Sequence, residues 1–403
     1  YELPYGQAPM GGSEEEIAEQ LRSVLATSVE RQMVSDVPVG AFLSGGLDSS
    51  AVVAMARQSR PDYRMPCYSI GFEDEDSLEG NPADLPYARR VAERLGVDLH
   101  TITLTPEVIG HLEKMIYHLD EPQGDPAPIN GLMIAEQARA DGVPVLLSGA
   151  GGDDVFSGYR RHYALHLERM WGWMPAPARS ALKALTRAAP VGGTRGRRLR
   201  RAFEYAGLSA DERLLTYFLW TDEKTRRDLL SPDVQAALSG YDTLTPLRDS
   251  LAELEGETYP LNRMLYIEAR HFLADHNLNY TDKTAMAHAI EVRVPLIDPD
   301  LVEFAARIPV GLKQKGRHGK YIFKRAMEPY LDHDVIYRPK TGFGAPIRRW
   351  VRQDLTPLID DVLTESALQG RGVFSPGSVR RLIENDRAGR VDAAYTVYAI
   401  LCI

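Results

Sequence analysis

The feature that most constrains the fold is a glycine- and serine-rich turn, SGGLDSS at residues 44–50, between an apolar strand and a helix. The segment VGAFL at 39–43 precedes it, and the alanine-rich segment AVVAMARQ at 51–58 follows it. Gly45 and Gly46 permit backbone conformations that bring amide N–H groups close to an anion, and the start of the helix adds a partial positive charge. The turn therefore predicts a phosphate-binding site at the carboxyl end of a strand.

One carboxylate in this turn needs an explanation. Asp48 would repel a bound phosphate unless a cation lies between them, and Mg²⁺ commonly joins carboxylate and phosphate oxygens. Ser44, Ser49 and Ser50 supply hydroxyl groups to the same site. The turn lacks the GxxxxGK[ST] pattern, so it is not a Walker-type loop. The alternative interpretation is a glycine-rich turn with a Ser or Asp helix cap, which accounts for fewer of its residues.

A second segment has similar chemistry. The sequence LLSGAGGDDVFSGY at 146–159 also follows an apolar strand and combines serine, glycines and a carboxylate pair. Loops at the carboxyl ends of parallel strands meet at one edge of the sheet. Asp153 is therefore a candidate second Mg²⁺ ligand facing Asp48. Alternatively, Asp153 and Asp154 only cap the following helix.

The order of apolar segments predicts the fold class. Helical patterns, such as LPYARRVAERLG at 85–96, separate apolar strands at 39–43, 65–72, 99–104 and 143–149. This alternation is typical of an α/β protein with a parallel sheet covered on both faces. Beyond about residue 160, helical periodicity dominates. We expect an α/β nucleotide-binding core at 13–165, opened by a helix capped by Ser13, and a mostly helical part at 166–403.

The composition and net charge limit the classes of partner that the protein is expected to bind. Hydrophobic residues make up 44% and charged residues 26% of the 403 residues, as in ordinary globular proteins. The net charge of −9 argues against a nucleic acid partner, and Cys67 and Cys402 offer no disulfide framework. No apolar run approaches the ~20 residues that span a bilayer, and no signal segment opens the chain. We expect a cytoplasmic protein without a membrane partner.

Two other patterns have less specific interpretations. The stretch 179–201 contains many basic residues and no acid, which could bind a polyanion, but its glycines favour a solvated insertion. His162 and His166 stand four residues apart on a predicted helix. Without the glutamate of HExxH, this spacing favours a surface pair over zinc ligands.

Four blocks together resemble one protein family. SGGLDSS resembles the phosphate loop of the N-type ATP pyrophosphatases. The segments LLSGAGGDDVFSGY, TAMAHAIEVRVPLID at 284–298 and RPKTGFGAPI at 338–347 resemble the synthetase domain of asparagine synthetases, whose relatives include β-lactam synthetases and lasso-peptide cyclases. The match covers nearly the whole chain, in order. It implies a parallel-sheet ATP-pyrophosphatase core, also called adenine nucleotide α-hydrolase-like, with a mostly helical C-terminal part.

The resemblance implies an ATP site made of two groups of residues. Those expected at adenosine and ribose, mostly through backbone groups, are Leu43, Ile70, Ser148 and Gly149. Those expected around the leaving pyrophosphate are Ser44, Gly45, Gly46, Asp48 and Ser49, with Asp48 and Asp153 as Mg²⁺ ligands.

Two more residues receive catalytic roles from the resemblance. Glu291, in AIEVRVP, matches a glutamate that orients or deprotonates in the β-lactam-forming relatives. Lys340, in RPKTGF, matches a lysine that stabilises charge as the adenylate and the amide form. Without the family, Glu291 and Arg293 could be a helix-end ion pair, and Lys340 a solvated loop residue.

The implied activity is an ATP-dependent ligase that adenylates a carboxylate and releases pyrophosphate before ammonia displaces AMP. Aspartate is the first choice of acid; the alternatives are a uronic acid, a peptide carboxylate, or a non-catalytic nucleotide-binding module. The implied cofactors are ATP and Mg²⁺, and the partners are the acid and ammonia from a glutaminase domain or a separate protein. Residues 1–12 are expected to be a linker from a missing N-terminal glutaminase domain, and a homodimer is compatible with the family.

Two departures affect the choice of acid. In asparagine synthetases the second loop commonly reads SGEGADE, with a glutamate implicated in adenylation, whereas this chain has Ala150 at that position. The family's VDR appears here as Thr281-Asp282-Lys283, which exchanges a bidentate guanidinium for an ammonium. Adenylation stays plausible, but aspartate itself is in doubt.

Overall fold

The computed structural model describes residues 2–72, 84–188, 200, 202–254, 256–339 and 345–403. Its centre is a five-stranded sheet in which all neighbouring strands are parallel. The strands are β1 Val39–Phe42, β2 Pro66–Phe72, β3 Asp98–Leu104, β4 Val145–Leu147 and β5 Glu291–Arg293, in the order β3-β2-β1-β4-β5. The predicted parallel α/β core is confirmed.

Seven helices of the first part surround this sheet. They are α1 Glu14–Gln32, α2 Leu47–Ser59, α3 Leu85–Leu95, α4 Leu112–Leu119, α5 Pro128–Ala140, α6 Gly152–Phe156 and α7 Arg160–Glu168. A 3₁₀ helix spans Pro106–His111. The start of α1 follows from its sequence, because Ser13 and Glu16 form a capping box that satisfies the first amide groups.

Two buried apolar clusters lie against the sheet. One joins α1 and α2 through residues such as Leu21, Leu25 and Val53, which are fully buried. The other joins α5 to the C-terminal helices through residues such as Leu132 and Val397. The inner strands β1, β2 and β4 are buried on both faces and therefore read as apolar runs, which is why they were visible in the sequence, whereas the edge strand β3 is buried only at Leu104.

The rest of the chain is mostly helical, as expected, and it also completes the sheet. Strand β5 comes from the segment AIEVRVP, so the interpretation of Glu291 and Arg293 as a helix-end pair is wrong about the element. Three residues are too short a segment for a period of two to be recognised. The α/β core therefore takes its fifth strand from the C-terminal part.

The described helices after α7 follow the predicted helical periodicity. They are Ala176–Ala188, Ala210–Thr216, Glu223–Leu229, Pro232–Ala237, Thr245–Glu253, Pro260–Ile267, Asn279–Met286, Pro299–Ala306, Val310–Lys313, Tyr321–Met327, His333–Ile336, Ile347–Arg352, Thr356–Val362, Glu365–Arg371, Pro376–Arg387 and Ala394–Cys402. A π-helix spans Glu268–Leu278, and a 3₁₀ turn spans Pro295–Ile297. In the part of the chain that the structure describes, no helix is long and apolar enough to cross a membrane.

One small hairpin matters for the site. Strands β6 Gln314–Lys315 and β7 His318–Gly319 pair in an antiparallel way, with Gly316 at positive φ in the turn. The hairpin packs on the end of α6, where a side chain at Gly319 would place its Cβ 2.3 Å from the Ser157 carbonyl oxygen. This close approach fixes where the next residue, Lys320, begins.

Candidate active site

The turn after β1 forms the predicted cradle at the carboxyl edge of the sheet. Gly45 has a φ of +68°, and a Cβ there would lie 2.3 Å from the backbone nitrogen of Ala88 in α3, so only glycine fits. The Ser44 amide donates to the Ser49 hydroxyl at 3.2 Å, and the two hydroxyl oxygens are 3.1 Å apart. Two hydroxyl groups thus converge beside the N-terminus of α2.

Leu43 and Ile70, two of the residues expected at adenosine, have buried side chains at this edge of the sheet. The side chain of Leu43 is fully buried, and its amide donates to the Tyr68 carbonyl at 2.8 Å. Ile70 is 9% exposed. It lies on β2, two residues after Tyr68, which pairs with Phe42 at the end of β1. Ser50 is fully buried in α2, and its hydroxyl has no hydrogen-bond partner among the described residues.

The two sequence motifs are in direct contact. A Cβ at Gly149 would lie 2.5 Å from the backbone nitrogen of Ser49, and a Cβ at Gly152 would lie 2.6 Å from the Asp48 carboxylate. Glycine at both positions therefore lets the loop after β4 approach the loop after β1. Ser148, at the base of the second loop, keeps its place through a 2.8 Å bond from its amide to the Arg293 carbonyl.

The two predicted metal ligands face each other across a cation, the ammonium of Lys320. Its Nζ lies 2.6 and 2.5 Å from the two carboxylate oxygens of Asp48 and 2.5 Å from Oδ1 of Asp153. Within the described residues, no cluster of three or more His, Cys, Asp or Glu side chains is arranged to hold a metal. Two carboxylates around one cation position suit Mg²⁺, which keeps water and phosphate oxygens as its other ligands.

Lys320 was missed by the sequence analysis, although the sequence contains a signal for it. The residue is the N-cap of helix Tyr321–Met327, with a φ of +53°, and Lys324 follows one turn later. A cation at a helix N-terminus opposes the helix dipole, so a lysine at the N-cap points to an anionic partner. Burial lowers the pKa of Lys324, and the nearby Lys320 ammonium lowers it further.

A buried ionic cluster lies behind the second loop. Nε and Nη2 of Arg161 donate to the two carboxylate oxygens of the fully buried Glu268 in the π-helix, and His162 Nε2 lies 3.0 Å from the same carboxylate. The guanidinium carbon is 4.3 Å from the ring centres of Tyr159 and Phe272. Burial would raise the pKa of Glu268, but hydrogen bonds from Arg161 and His162 bring it below its usual value. His162 is fully buried, so its interpretation as a surface residue is wrong.

This cluster continues to the residue next to Asp153. The Tyr159 hydroxyl donates to the two oxygens of Asp154 at 3.2 and 3.1 Å, and the Asn277 amide donates to the Tyr159 oxygen at 3.0 Å. Burial, reinforced by the charges of Glu268 and Asp153, raises the pKa of Asp154 well above its usual value. The carboxyl of Asp154 thus anchors the loop from inside rather than facing a ligand.

Glu291 is the remaining predicted residue that the structure describes, and it is not brought to this centre. The Glu291 carboxylate accepts from Arg293 Nε at 2.6 Å, its side chain is 58% exposed, and its backbone pairs with Val145, before the loop begins. Lys340 lies outside the described residues. Lys283, which replaces the family's arginine, donates to the Leu119 carbonyl and to Asp120 at the surface.

A glycine- and serine-rich turn and a carboxylate pair at the carboxyl edge of a parallel sheet define a class of α/β proteins that bind phosphate groups with a cation. The family model described as asparagine synthase matches residues 20–402. The chain belongs to the asparagine synthase family.

Several relatives share this similarity over nearly the whole chain. A putative glutamine-hydrolysing asparagine synthetase of Mycobacterium tuberculosis is 31% identical over 95% of this chain and 56% of its own length. Asparagine synthetase 1 of Bacillus subtilis is 28% identical over 98% of this chain and 59% of its own. The amidase chyE of Penicillium rubens is 27% identical over 92% and 59%. The chain thus spans a little over half the length of the curated relatives it matches.

One solved structure, an NMN synthetase from Francisella tularensis, overlaps 37% of this chain and 60% of its own, with 17% identity and a TM-score of 0.25. That overlap is too limited to bear on the fold or the site.

Proposed function

We propose that this domain uses ATP and Mg²⁺ to adenylate a carboxylate, and that ammonia then displaces AMP to give an amide. The observation that supports this most is the pair Asp48 and Asp153, which face each other across a single cation position beside the cradle at Ser44–Ser49. Membership of the asparagine synthase family supports the same chemistry.

Each residue of the site has a role in this proposal. Asp48 and Asp153 would hold Mg²⁺, which when bound neutralises the charge of the phosphates. The hydroxyls of Ser44 and Ser49 and the N-terminus of α2 would hold the leaving pyrophosphate. Backbone groups at Leu43, Ile70, Ser148 and Gly149 would bind adenosine. Lys340 keeps its proposed role in stabilising charge on the α phosphate.

The reaction proceeds in two balanced steps. A carboxylate oxygen of the acid attacks the α phosphorus of ATP, the bond from that phosphorus to the bridging oxygen breaks, and pyrophosphate leaves. The ammonia nitrogen then attacks the acyl carbon, AMP leaves with the former carboxylate oxygen, and the nitrogen gives up one proton. Retention of pyrophosphate by the cradle favours cleavage between the α and β phosphates.

The acid is aspartate in the first form of this proposal, and a different acid in the second. Ala150 supports the second form, because its methyl group supplies no carboxylate where the family has a glutamate. Two relatives carry the name amidase rather than asparagine synthetase. The alternative acids are a uronic acid and a peptide carboxylate, and ammonia would come from a glutaminase domain or a separate protein.

The test is acid-dependent exchange of labelled pyrophosphate into ATP. Aspartate, uronic acids and short peptides should be compared with Mg²⁺ and with EDTA, and the nucleotide product identified. AMP and pyrophosphate are expected with the competent acid and Mg²⁺ only. Stoichiometric ADP would contradict the adenylation mechanism, and exchange with another acid but none with aspartate would select the second form.

A further inference from the structure

The backbone that presents Lys320 is held tightly in place. Its amide donates to the Phe156 carbonyl at 3.1 Å, and both Ser157 and Lys320 have positive φ values, 68° and 53°. Positive φ is unfavourable for residues with a side chain and persists only where the surroundings impose it. Lys320 therefore has a fixed starting point from which its four-carbon chain reaches the carboxylates.

The space around its side chain is also tight. A Cβ at Gly158 would lie 1.7 Å from Oδ1 of Asp153 and 2.2 Å from Cε of Lys320. The side chains of Lys320, Asp153 and Asp48 are 7%, 11% and 16% exposed. Two carboxylates at such low exposure repel each other unless a cation lies between them. The ammonium of Lys320 supplies that charge.

A metal ion cannot share this position. Mg²⁺ binds carboxylate oxygens at about 2.1 Å and requires a nearly octahedral shell. The ammonium already lies 2.5–2.6 Å from the oxygens of Asp48 and 2.5 Å from Asp153. Two cations at these distances would touch each other, so one has to leave before the other binds.

We propose that Lys320 is a built-in placeholder cation that holds Asp48 and Asp153 together in the ligand-free protein and gives way when Mg²⁺ binds. The carboxylate geometry is then ready before the metal arrives, and the metal competes with an ammonium instead of entering an open site. The displaced ammonium moves towards the phosphate oxygens that accompany the metal, and this last part alone rests on the proposed function. Lys320 is a positioning residue in this scheme.

Lys320 has two alternative roles, one in stabilising the fold and one in binding phosphate. Each predicts a different response to Mg²⁺ added without nucleotide from that of a placeholder. If Lys320 only stabilises the fold, its loss lowers the melting temperature and Mg²⁺ does not restore it. If Lys320 only binds phosphate, its loss changes nothing until ATP is added. If it is a placeholder, its loss opens the site to the metal, and Mg²⁺ takes over the role of the ammonium.

The experiment compares Lys320→Met with the wild type in EDTA and in MgCl₂, using thermal melts and calorimetric Mg²⁺ titration without nucleotide. The variant should melt lower in EDTA, recover most of the loss in millimolar Mg²⁺, and bind Mg²⁺ at least about tenfold more tightly than the wild type. Lys315→Met is the matched control: Lys315 lies on the hairpin that precedes Lys320 and contacts Glu14 at the surface, and its loss should leave Mg²⁺ binding unchanged.

A second variant guards against a failure to fold. Lys320→Arg keeps a cation that can bind both carboxylates with a rigid fork, so it should weaken Mg²⁺ binding several-fold. Equal Mg²⁺ affinity in wild type and Lys320→Arg, or a melting temperature of Lys320→Met that Mg²⁺ does not restore, would overturn the proposal. These measurements use Mg²⁺ alone, so a failure to find a competent acid would count against the proposed function and not against the placeholder.

Discussion

The two ends of the site differ in how they are built. At the proposed phosphate end, the loop after β4 contacts the loop after β1 at Gly149 and Gly152. The carboxylates of Asp48 and Asp153 face each other there. At the acyl end, Ala150 stands where the family has a glutamate, and Lys283 contacts Asp120 at the surface. The proposed phosphate end thus has the loop contacts that the resemblance leads us to expect, whereas two residues of the proposed acyl end depart from the family's sequence. This difference favours the second form of the proposal, in which adenylation is kept and the acid is not aspartate.

The largest expected effect tests whether the phosphate end is intact. Asp48→Asn and Asp153→Asn should each lower turnover by at least roughly 10³-fold while the protein stays folded, because both carboxylates serve one cation. The double variant should resemble either single one, since residues that act as a unit are not additive. Steady-state rates of AMP formation at ordinary Mg²⁺ give the measurement. Near-normal turnover of either single variant would remove the metal assignment.

The next effect concerns Lys340, which is proposed to stabilise charge on the α phosphate. Lys340→Ala should lower kcat by ~10²–10³ with little change in the KM for ATP, because the ammonium is expected to meet charge that develops only in the transition state. Kinetics at saturating ATP, with the competent acid, separate the two parameters. A raised KM with an unchanged kcat would make Lys340 a simple phosphate counter-charge.

The buried cluster behind the loop should matter for stability more than for ATP binding. Glu268→Gln leaves the Arg161 guanidinium buried without its counter-ion, which should lower the free energy of unfolding by about 3–5 kcal/mol. The pair of Arg94 and Asp332 lies at the surface, with side chains 40% and 42% exposed, and Asp332→Asn should cost less than about 1 kcal/mol. Urea denaturation of both variants makes the comparison, and equal losses would contradict it.

The pH dependence of stability distinguishes two carboxyls of that cluster. The pKa of Glu268 is below its usual value, so its contribution is present above the unfolded value of 4.5 and is lost as the pH falls through the folded pKa. The contribution of Asp154 to stability depends on pH in the opposite direction. Its pKa is raised in the folded protein, so its contribution is lost as the pH rises through the folded pKa. Asp154→Asn mimics the neutral acid and should lose little stability at neutral pH. The measurement is the melting temperature of Asp154→Asn and of the wild type as a function of pH. If the melting temperature of the variant falls as steeply with rising pH as that of the wild type, the assignment to Asp154 is contradicted.

The smallest expected effect concerns Glu291. Because its side chain is 58% exposed and paired with Arg293, Glu291→Gln should change kcat by less than about twofold. The wild type and the variant should be compared under saturating substrates. A loss of kcat as large as that of Asp48→Asn would show that Glu291 has a catalytic role and that the active site includes β5.

Several parts of the fold could be predicted because their causes are local in the chain. Ser13 and Glu16 define the start of α1 within one turn, and apolar runs marked the strands that are buried on both faces. β5 was missed because three residues carry no period, and it exists only because its backbone pairs with Val145–Leu147. Short strands depend on a partner that the sequence alone does not place.

What the sequence by itself predicted is the candidate phosphate cradle and its carboxylate pair. Residues 44–50 hold the glycines, hydroxyls and carboxylate in one stretch, so backbone conformational preferences and the helix N-terminus suffice to predict an anion site. Only the tertiary structure decided which cation faces that pair. Lys320 lies 272 residues from Asp48, and Arg161 lies 107 residues from Glu268. These pairings arise because charges removed from water require partners, and the folded chain supplies them from whichever segment packing brings near.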